Sequence, residues 1–221
     1  PLLPSNVGIA LIGPEPGAGR LTIRIILLTL LLVVGHALAE ESPVTRAEAV
    51  YGEPGVPGAA HRLIDIYWRS GPSPMPLILY VHDGGWAFGD KADVAGKPAF
   101  FLEKGIAFAS INYRLRWEFQ VYDQVVDVVA AIVWLRENGD QYNLDPDKIV
   151  LMGQGSGAHL VALVATDHSY LKAVGLSLTD VNGVVSVAGD AFDIGRQMRE
   201  LGSFLQRRHI ELIFGSQPAA W

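Results

Sequence analysis

The ten residues from Leu151 to Leu160, LMGQGSGAHL, carry Gly153 and Gly157 at the spacing of a Gly-x-Ser-x-Gly turn. The middle residue, however, is Gly155, and a serine follows one place late, at Ser156. In such a turn a strand runs sharply into a helix and lifts a serine hydroxyl clear of the sheet, where it attacks an acyl carbon. The backbone at the central position is strained for residues with a Cβ and free of cost for glycine. Gly155 therefore keeps the turn and removes the attacking oxygen. Ser156 is expected in the first turn of the following helix, displaced from the tip, as an ordinary helix-start hydroxyl; a role as substitute nucleophile is the weaker alternative.

A second stretch offers complementary chemistry. HDGGWAFGDK, from His82 to Lys91, follows the apolar run PLILYVH. Glycines directly after a buried strand let the backbone approach a ligand and aim N–H groups at it, as an oxyanion hole requires. Gly84 and Gly85 are the candidate donors. His82 and Trp86 are expected at the substrate, although Trp86 serves equally well as a core residue.

The surrounding pattern supplies the elements that must position these turns. Arg62–Trp68, Pro76–His82, Ile106–Tyr113 and Val181–Gly189 read as strands, and DPDKIVLMG as a turn followed by a strand ending at Gly153. Helices are expected over Pro98–Lys104, over Tyr122–Asn138 with Val125, Val129, Ile132 and Val133 on one stripe, over Ser156–Thr166 and over Phe192–Leu205. Apolar strands alternating with helices predict an α/β fold, a doubly wound and mostly parallel sheet with helices on both faces. Ligands of such sheets gather at the carboxyl ends of the strands, where both glycine turns fall.

The N-terminal part reads differently. Arg20 and Arg24 precede the apolar run Ile25–Val34, and Ala37-Leu38-Ala39 has the small-x-small form of a cleavage site. The run is about half the ~20 residues that a spanning helix needs, so residues 20–39 are expected to be a signal peptide of an exported protein, periplasmic or secreted, with no stable membrane insertion after cleavage. The first Met in the chain is Met75, and residues 1–19 read as an unstructured or spurious upstream segment.

Composition narrows the chemistry. The net charge of −6 with 17 Lys and Arg leaves no basic footprint for nucleic acid, and the absence of Cys excludes disulfides, thiolate metal sites and a thiol nucleophile. No spacing of His, Asp and Glu suggests a metal, no phosphate-binding loop is present, and no cofactor is expected. Asp123, Asp127 and Arg114 read as structural hydrogen-bonding or ion-pairing residues.

YVHDGGWAFGDK, INYRL, DVVAAIVWLREN, DPDKIVLMGQGSGAHL and FGSQPAAW, in this order, resemble the α/β-hydrolase superfamily from about Tyr51 to Trp221, in its esterase/lipase branch of hormone-sensitive-lipase-like carboxylesterases and bacterial feruloyl-esterase-like proteins. The resemblance implies an eight-stranded sheet, a Ser-Asp-His triad in that chain order, and a small-molecule acyl ester as substrate. It assigns Gly84, Gly85 and the Ser156 N–H to the oxyanion hole and Gly155 to the nucleophile position.

The chain departs from that pattern at three places. Asp83 stands where the turn usually has its first glycine and is expected to point into solvent. Gly155 replaces the serine. The triad acid and histidine are expected beyond Trp221, so residues 47–221 read as a C-terminally truncated hydrolase domain whose strand near Val184–Val187 becomes an uncovered edge. His209, Asp190 and Asp193 read as surface helix and loop residues. Three functions follow: an incompletely represented ester hydrolase, inactive as it stands; a non-catalytic ligand-binding relative; or an amidase similar to kynurenine formamidases.

Overall fold

The computed structural model describes residues 43–189 and 192–215. The upstream segment, the expected signal peptide and Asp190 lie outside the described residues. Among the described residues six strands form one sheet: β1 (Val44–Val50), β2 (Leu63–Arg69), β3 (Met75–Val81), β4 (Ala107–Ile111), β5 (Leu144–Gln154) and β6 (Gly183–Val187), in the order β1-β2-β4-β3-β5-β6. β2 runs antiparallel to both β1 and β4, and the pairs β4/β3, β3/β5 and β5/β6 are parallel.

Central placement explains the composition of β3, which is apolar almost throughout and buried at every position but Pro76. Its side chains alternate between two cores, as the period of two requires. Leu77, Leu79 and Val81 face helices α2 (Val121–Asn138) and α3 (Ser156–Thr166), with Val125, Val128, Ile132, Leu160 and Val164. Ile78 and Tyr80 face the other way, against Phe108, Val94 and Phe101 of α1 (Lys97–Leu102). Helices therefore cover both faces, which is the doubly wound α/β arrangement.

α2 opens on a reciprocal cap in which Gln120 and Asp123 satisfy each other's backbone. Its buried stripe holds Val125, Val129 and Ile132, while Val133 sits at the flank, only partly buried. The same face buries Asp127, which accepts from the Arg114 backbone N–H at 2.8 Å and pairs with Arg114 Nη2 at 2.8 Å and Arg62 Nη1 at 3.7 Å. These ions tie the loop after β4 to the helix.

Two expectations need correction, and one strand was missed. β1 was not legible, because its side chains are mostly exposed and present no apolar face. The DPDK turn is absorbed into β5 as an irregularity: pairing with β3 jumps from Met75–Leu144 to Leu77–Ile149. The single helix expected over 192–205 is two, α5 (Ile194–Glu200) and α6 (Phe204–Phe214), following the short helical turn α4 (Ser169–Lys172). Asp193 caps α5 by accepting from the Arg196 N–H at 2.7 Å, and Ser203 caps α6 through the Gln206 N–H at 3.5 Å. Gly202-Ser203 was the stop-and-start signal. At the far side, β6 pairs only with β5 among the described residues and leaves Val185 exposed.

Candidate active site

β3 and β5 are parallel neighbours, with Val81 opposite Gly153, so the turns that follow them open at the same carboxyl edge. Gly155 lies between β5 and α3 at φ 51° and ψ −117°, a conformation that L side chains rarely adopt, and its N–H donates to Val187 O at 2.9 Å. The strained elbow expected from sequence is present. Gly157 seats the start of α3 against the end of β3, where a Cβ would run into the carbonyl oxygens of Val81 and His82.

Asp83 is exposed, as expected, but one oxygen of its carboxylate turns back onto the site. Its Oδ1 accepts from the backbone N–H groups of Gly84 at 2.7 Å, Ser156 at 2.9 Å and Gly85 at 3.5 Å, and from the Ser156 hydroxyl at 3.3 Å. The three candidate oxyanion donors therefore converge on one point, and that point is occupied by the protein's own carboxylate. Burial opposes the charge, but the Ser156, Gly84 and Gly85 donors outweigh it and hold the carboxyl below the usual aspartate range. Side-chain direction in a turn depends on the backbone angles of its glycines, here φ 145° at Gly84 and 59° at Gly85. Residue type alone does not reveal those angles.

The carboxylate also bears on position 155. A Cβ built on Gly155 would overlap Asp83 Cγ, Oδ1 and Oδ2. The two departures from the expected pattern are thus one spatial event: the side chain lost at 155 leaves the volume that the side chain gained at 83 fills.

Ser156 is 4% exposed, and its hydroxyl lies between Asp83 Oδ1 and the Tyr113 hydroxyl, 3.4 Å away. Burial pushes the Tyr113 phenol up, so it stays protonated. Among the described residues no histidine is hydrogen-bonded to the Ser156 hydroxyl.

His82 is placed away from the substrate side. Its ring is 1% exposed, stacks on Tyr113 at 4.5 Å, and donates from Nδ1 to the Asp83 carbonyl at 2.7 Å. Burial lowers its pKa, so it is a neutral brace beneath the turn. Trp86 does reach the site. Its Nε1 donates to His159 Nδ1 at 3.3 Å, and its carbonyl accepts from the Arg116 N–H at 2.8 Å and Gln124 Nε2 at 2.7 Å. Lys91 anchors the end of the turn, with Nζ 2.9 Å from buried Asp65 and 2.8 Å from Glu48.

A cavity of about 450 Å³ opens above these groups. Asp83, Gly85, Trp86, Gly155 and Ser156 form its floor, and Gln197, Leu201, Leu205, Gln206, His209 and Ile210 of α5, α6 and their junction form its wall. His209 was expected on the surface. It is half-buried, with Nε2 against Gly85 and its ring 6.4 Å from Trp86. It lies far along the chain from the turn it touches, and only the α5/α6 break swings it over the site.

The BD-FAE family matches residues 64–195. Esterase LipQ of Mycobacterium tuberculosis is 32% identical over 158 residues, covering 60% of this chain and 37% of the relative. A probable isoprenylcysteine alpha-carbonyl methylesterase of Arabidopsis thaliana is 28% identical over 154 residues, covering 67% and 31%. The chain thus spans about a third of the length of these curated relatives. Among solved structures, esterase B from Lactobacillus rhamnosis superposes with a TM-score of 0.65 at 22% identity, over 90% of this chain and 67% of that one, a likeness of fold. A bacterial heroin esterase superposes at 0.52 with 26% identity, over 72% and 49%.

The fold is that of the α/β hydrolases, in their esterase branch. The chain belongs to the BD-FAE family.

Proposed function

We propose that this chain is part of a carboxylic-ester-directed hydrolase in which serine-type acyl transfer is absent, and that its cavity holds a small acyl compound without turning it over by that route. The observation that carries this reading is the Asp83 carboxylate seated among the Gly84, Gly85 and Ser156 N–H donors, above an elbow with no side chain. A tetrahedral oxyanion needs those donors. Here they already hold a negative oxygen. Loss of the nucleophile alone costs on the order of 10⁶-fold in turnover. Ser156 does not compensate, because its hydroxyl is buried and donates to Asp83. Export is part of the proposal and is supported by Arg20, Arg24, the apolar run Ile25–Val34 and Ala37-Leu38-Ala39.

The test is hydrolysis of p-nitrophenyl butyrate beside labelling with an alkyl phosphonate. The expected result is no burst of nitrophenol and no phosphonate on any serine. A stoichiometric burst with an adduct on Ser156 would overturn the proposal. N-terminal sequencing of the protein recovered outside the cytoplasm tests export, with a new terminus near Glu40 expected.

A further inference from the structure

Arg62 is 4% exposed, yet its guanidinium is not matched by a partner of its own. Nε and Nη2 donate to no described residue, and Nη1 stands 3.7 Å from Asp127, too far for a direct hydrogen bond. The cause is competition. Both carboxylate oxygens of Asp127 accept from Arg114, through its backbone N–H at 2.8 Å and its Nε at 3.0 and 2.9 Å, and Nη2 adds a contact at 2.8 Å. Two buried guanidinium groups thus share one buried carboxylate, and Arg62 is the one left without hydrogen bonds. Buried charges are ordinarily paired, and a buried donor without an acceptor costs stability.

Room for an acceptor lies beside it. Arg62 lines a cavity of about 600 Å³ between the end of β1, the loop that follows and one flank of α2. No described residue lines both this cavity and the one at the elbow. Its remaining walls are chiefly aliphatic, from Val50, Val126, Ala130, Val133 and Val174. Val126 and Val174 also line a smaller cavity of about 180 Å³ beside Tyr122 and Tyr170, which extends the apolar surface. A concave apolar wall with one polar group that fixes orientation is the usual form of a small-molecule site.

We propose that this cavity is a second ligand site, separate from the elbow, and that it takes a straight-chain alkanoate with its carboxylate on Arg62 and its tail along α2. A carboxylate matches the planar fork of a guanidinium and supplies the charge that Asp127 gives to Arg114. A neutral head of the same shape would leave that charge uncompensated. Glu53 and Glu137 line the same cavity and are exposed, so water and salt screen them from the head group. They disfavour a second negative group on the tail, and the site therefore selects a monocarboxylate.

The experiment titrates octanoate into the parent chain and follows the backbone amide signals, with octanamide as the neutral ligand of equal length. Expected are saturating shifts at Val126, Ala130 and Val133 with octanoate, and an affinity for octanamide lower by about tenfold or more, as loss of a charge-assisted hydrogen bond implies. Arg62→Met removes the cation and keeps an unbranched side chain; it should abolish the preference for octanoate over octanamide. Ala130→Phe fills the cavity with Arg62 in place and should weaken both ligands, so the proposal stays testable even where Arg62→Met fails to fold. Absence of saturating shifts on α2, equal affinity of the parent chain for octanoate and octanamide, or an undiminished preference in a folded Arg62→Met overturns it. Shifts confined to Gly85 and Ser156 overturn it as well, because octanoate would then sit at the elbow. The amides read on α2 lie outside the elbow cavity, so failure here leaves the proposed function untouched.

Discussion

Asp83 Oδ1 accepts a 2.9 Å hydrogen bond from the backbone N–H of Ser156, the residue that begins α3 directly after the elbow glycine. This bond joins the two glycine turns of the site through a charge that belongs to the protein itself. An oxyanion hole is a set of donors preorganised for a negative oxygen, and such a set is satisfied by any anion of suitable shape. A carboxylate carried by the adjoining residue arrives at no translational cost.

Positions 83 and 155 should behave as a coupled pair. Gly155→Ser places a Cβ where the Asp83 carboxylate stands, so that carboxylate must leave its N–H donors, and the loss of those hydrogen bonds is expected to destabilise the chain by about 1–2 kcal/mol. The backbone strain at φ 51° is common to both backgrounds, so a double-mutant cycle with Asp83→Gly cancels it. Urea unfolding of the four chains should give a coupling of at least ~1 kcal/mol. Equal costs of Gly155→Ser in both backgrounds would mean that the two side chains do not compete for space.

Emptying the donor nest should create an anion site. In Asp83→Gly the N–H groups of Gly84, Gly85 and Ser156 lose their acceptor, and butyrate is expected to bind with a dissociation constant of roughly millimolar order, worth ~4 kcal/mol. Amide chemical shifts of those three residues should move on titration, while the parent chain stays silent. Identical responses from both chains would contradict the assignment of the donors.

Stability should fall as pH drops from neutrality toward 4, with His159 a principal cause. Burial lowers its pKa to about 4 from an ordinary value of 6.5, and its Nδ1 accepts from Trp86 as only the neutral ring does. Between those values the unfolded chain binds the proton and the folded chain does not, so protons favour unfolding there. The full effect, reached below pH 4, is at most ~3 kcal/mol. His159→Gln should flatten this part of the pH profile, as followed by Trp fluorescence in denaturant.

Asp127 should be among the most sensitive polar positions outside the site. It is fully buried between Arg114 and Arg62, and Asp127→Ala leaves Arg114, whose side chain is 8% exposed, without its main counter-charge. Breaking such a pair costs about 3–5 kcal/mol. Thermal unfolding should show a midpoint lowered by many degrees, and a shift of only a degree or two would contradict the network's role.

The sequence made some of this visible for clear physical reasons. Gly-x-Gly-x-Gly spacing reports backbone geometry, so the elbow at Gly155 and the helix over Ser156–Thr166 were legible. β3 and β4 were legible because central strands are apolar on both faces. The direction of the Asp83 side chain was not, because it follows from positive φ angles at Gly84 and Gly85. Nor was the place of His209, which depends on a helix break at Gly202-Ser203 and on a contact with a turn far away in the chain.

The most direct measurement is the titration of Asp83 by carboxyl ¹³C NMR, read together with the amide signals of Gly84 and Ser156. A carboxylate seated in the oxyanion donors stays ionised below the ordinary aspartate value of 3.8, and the two amides move in step when it finally protonates. The associated stability is present above that ordinary value and is lost as pH falls through the lowered one. Titration at or above 3.8 with both amides unmoved would contradict the account, because the Gly84 and Ser156 N–H groups would then not hold the Asp83 carboxylate and the oxyanion hole would be empty.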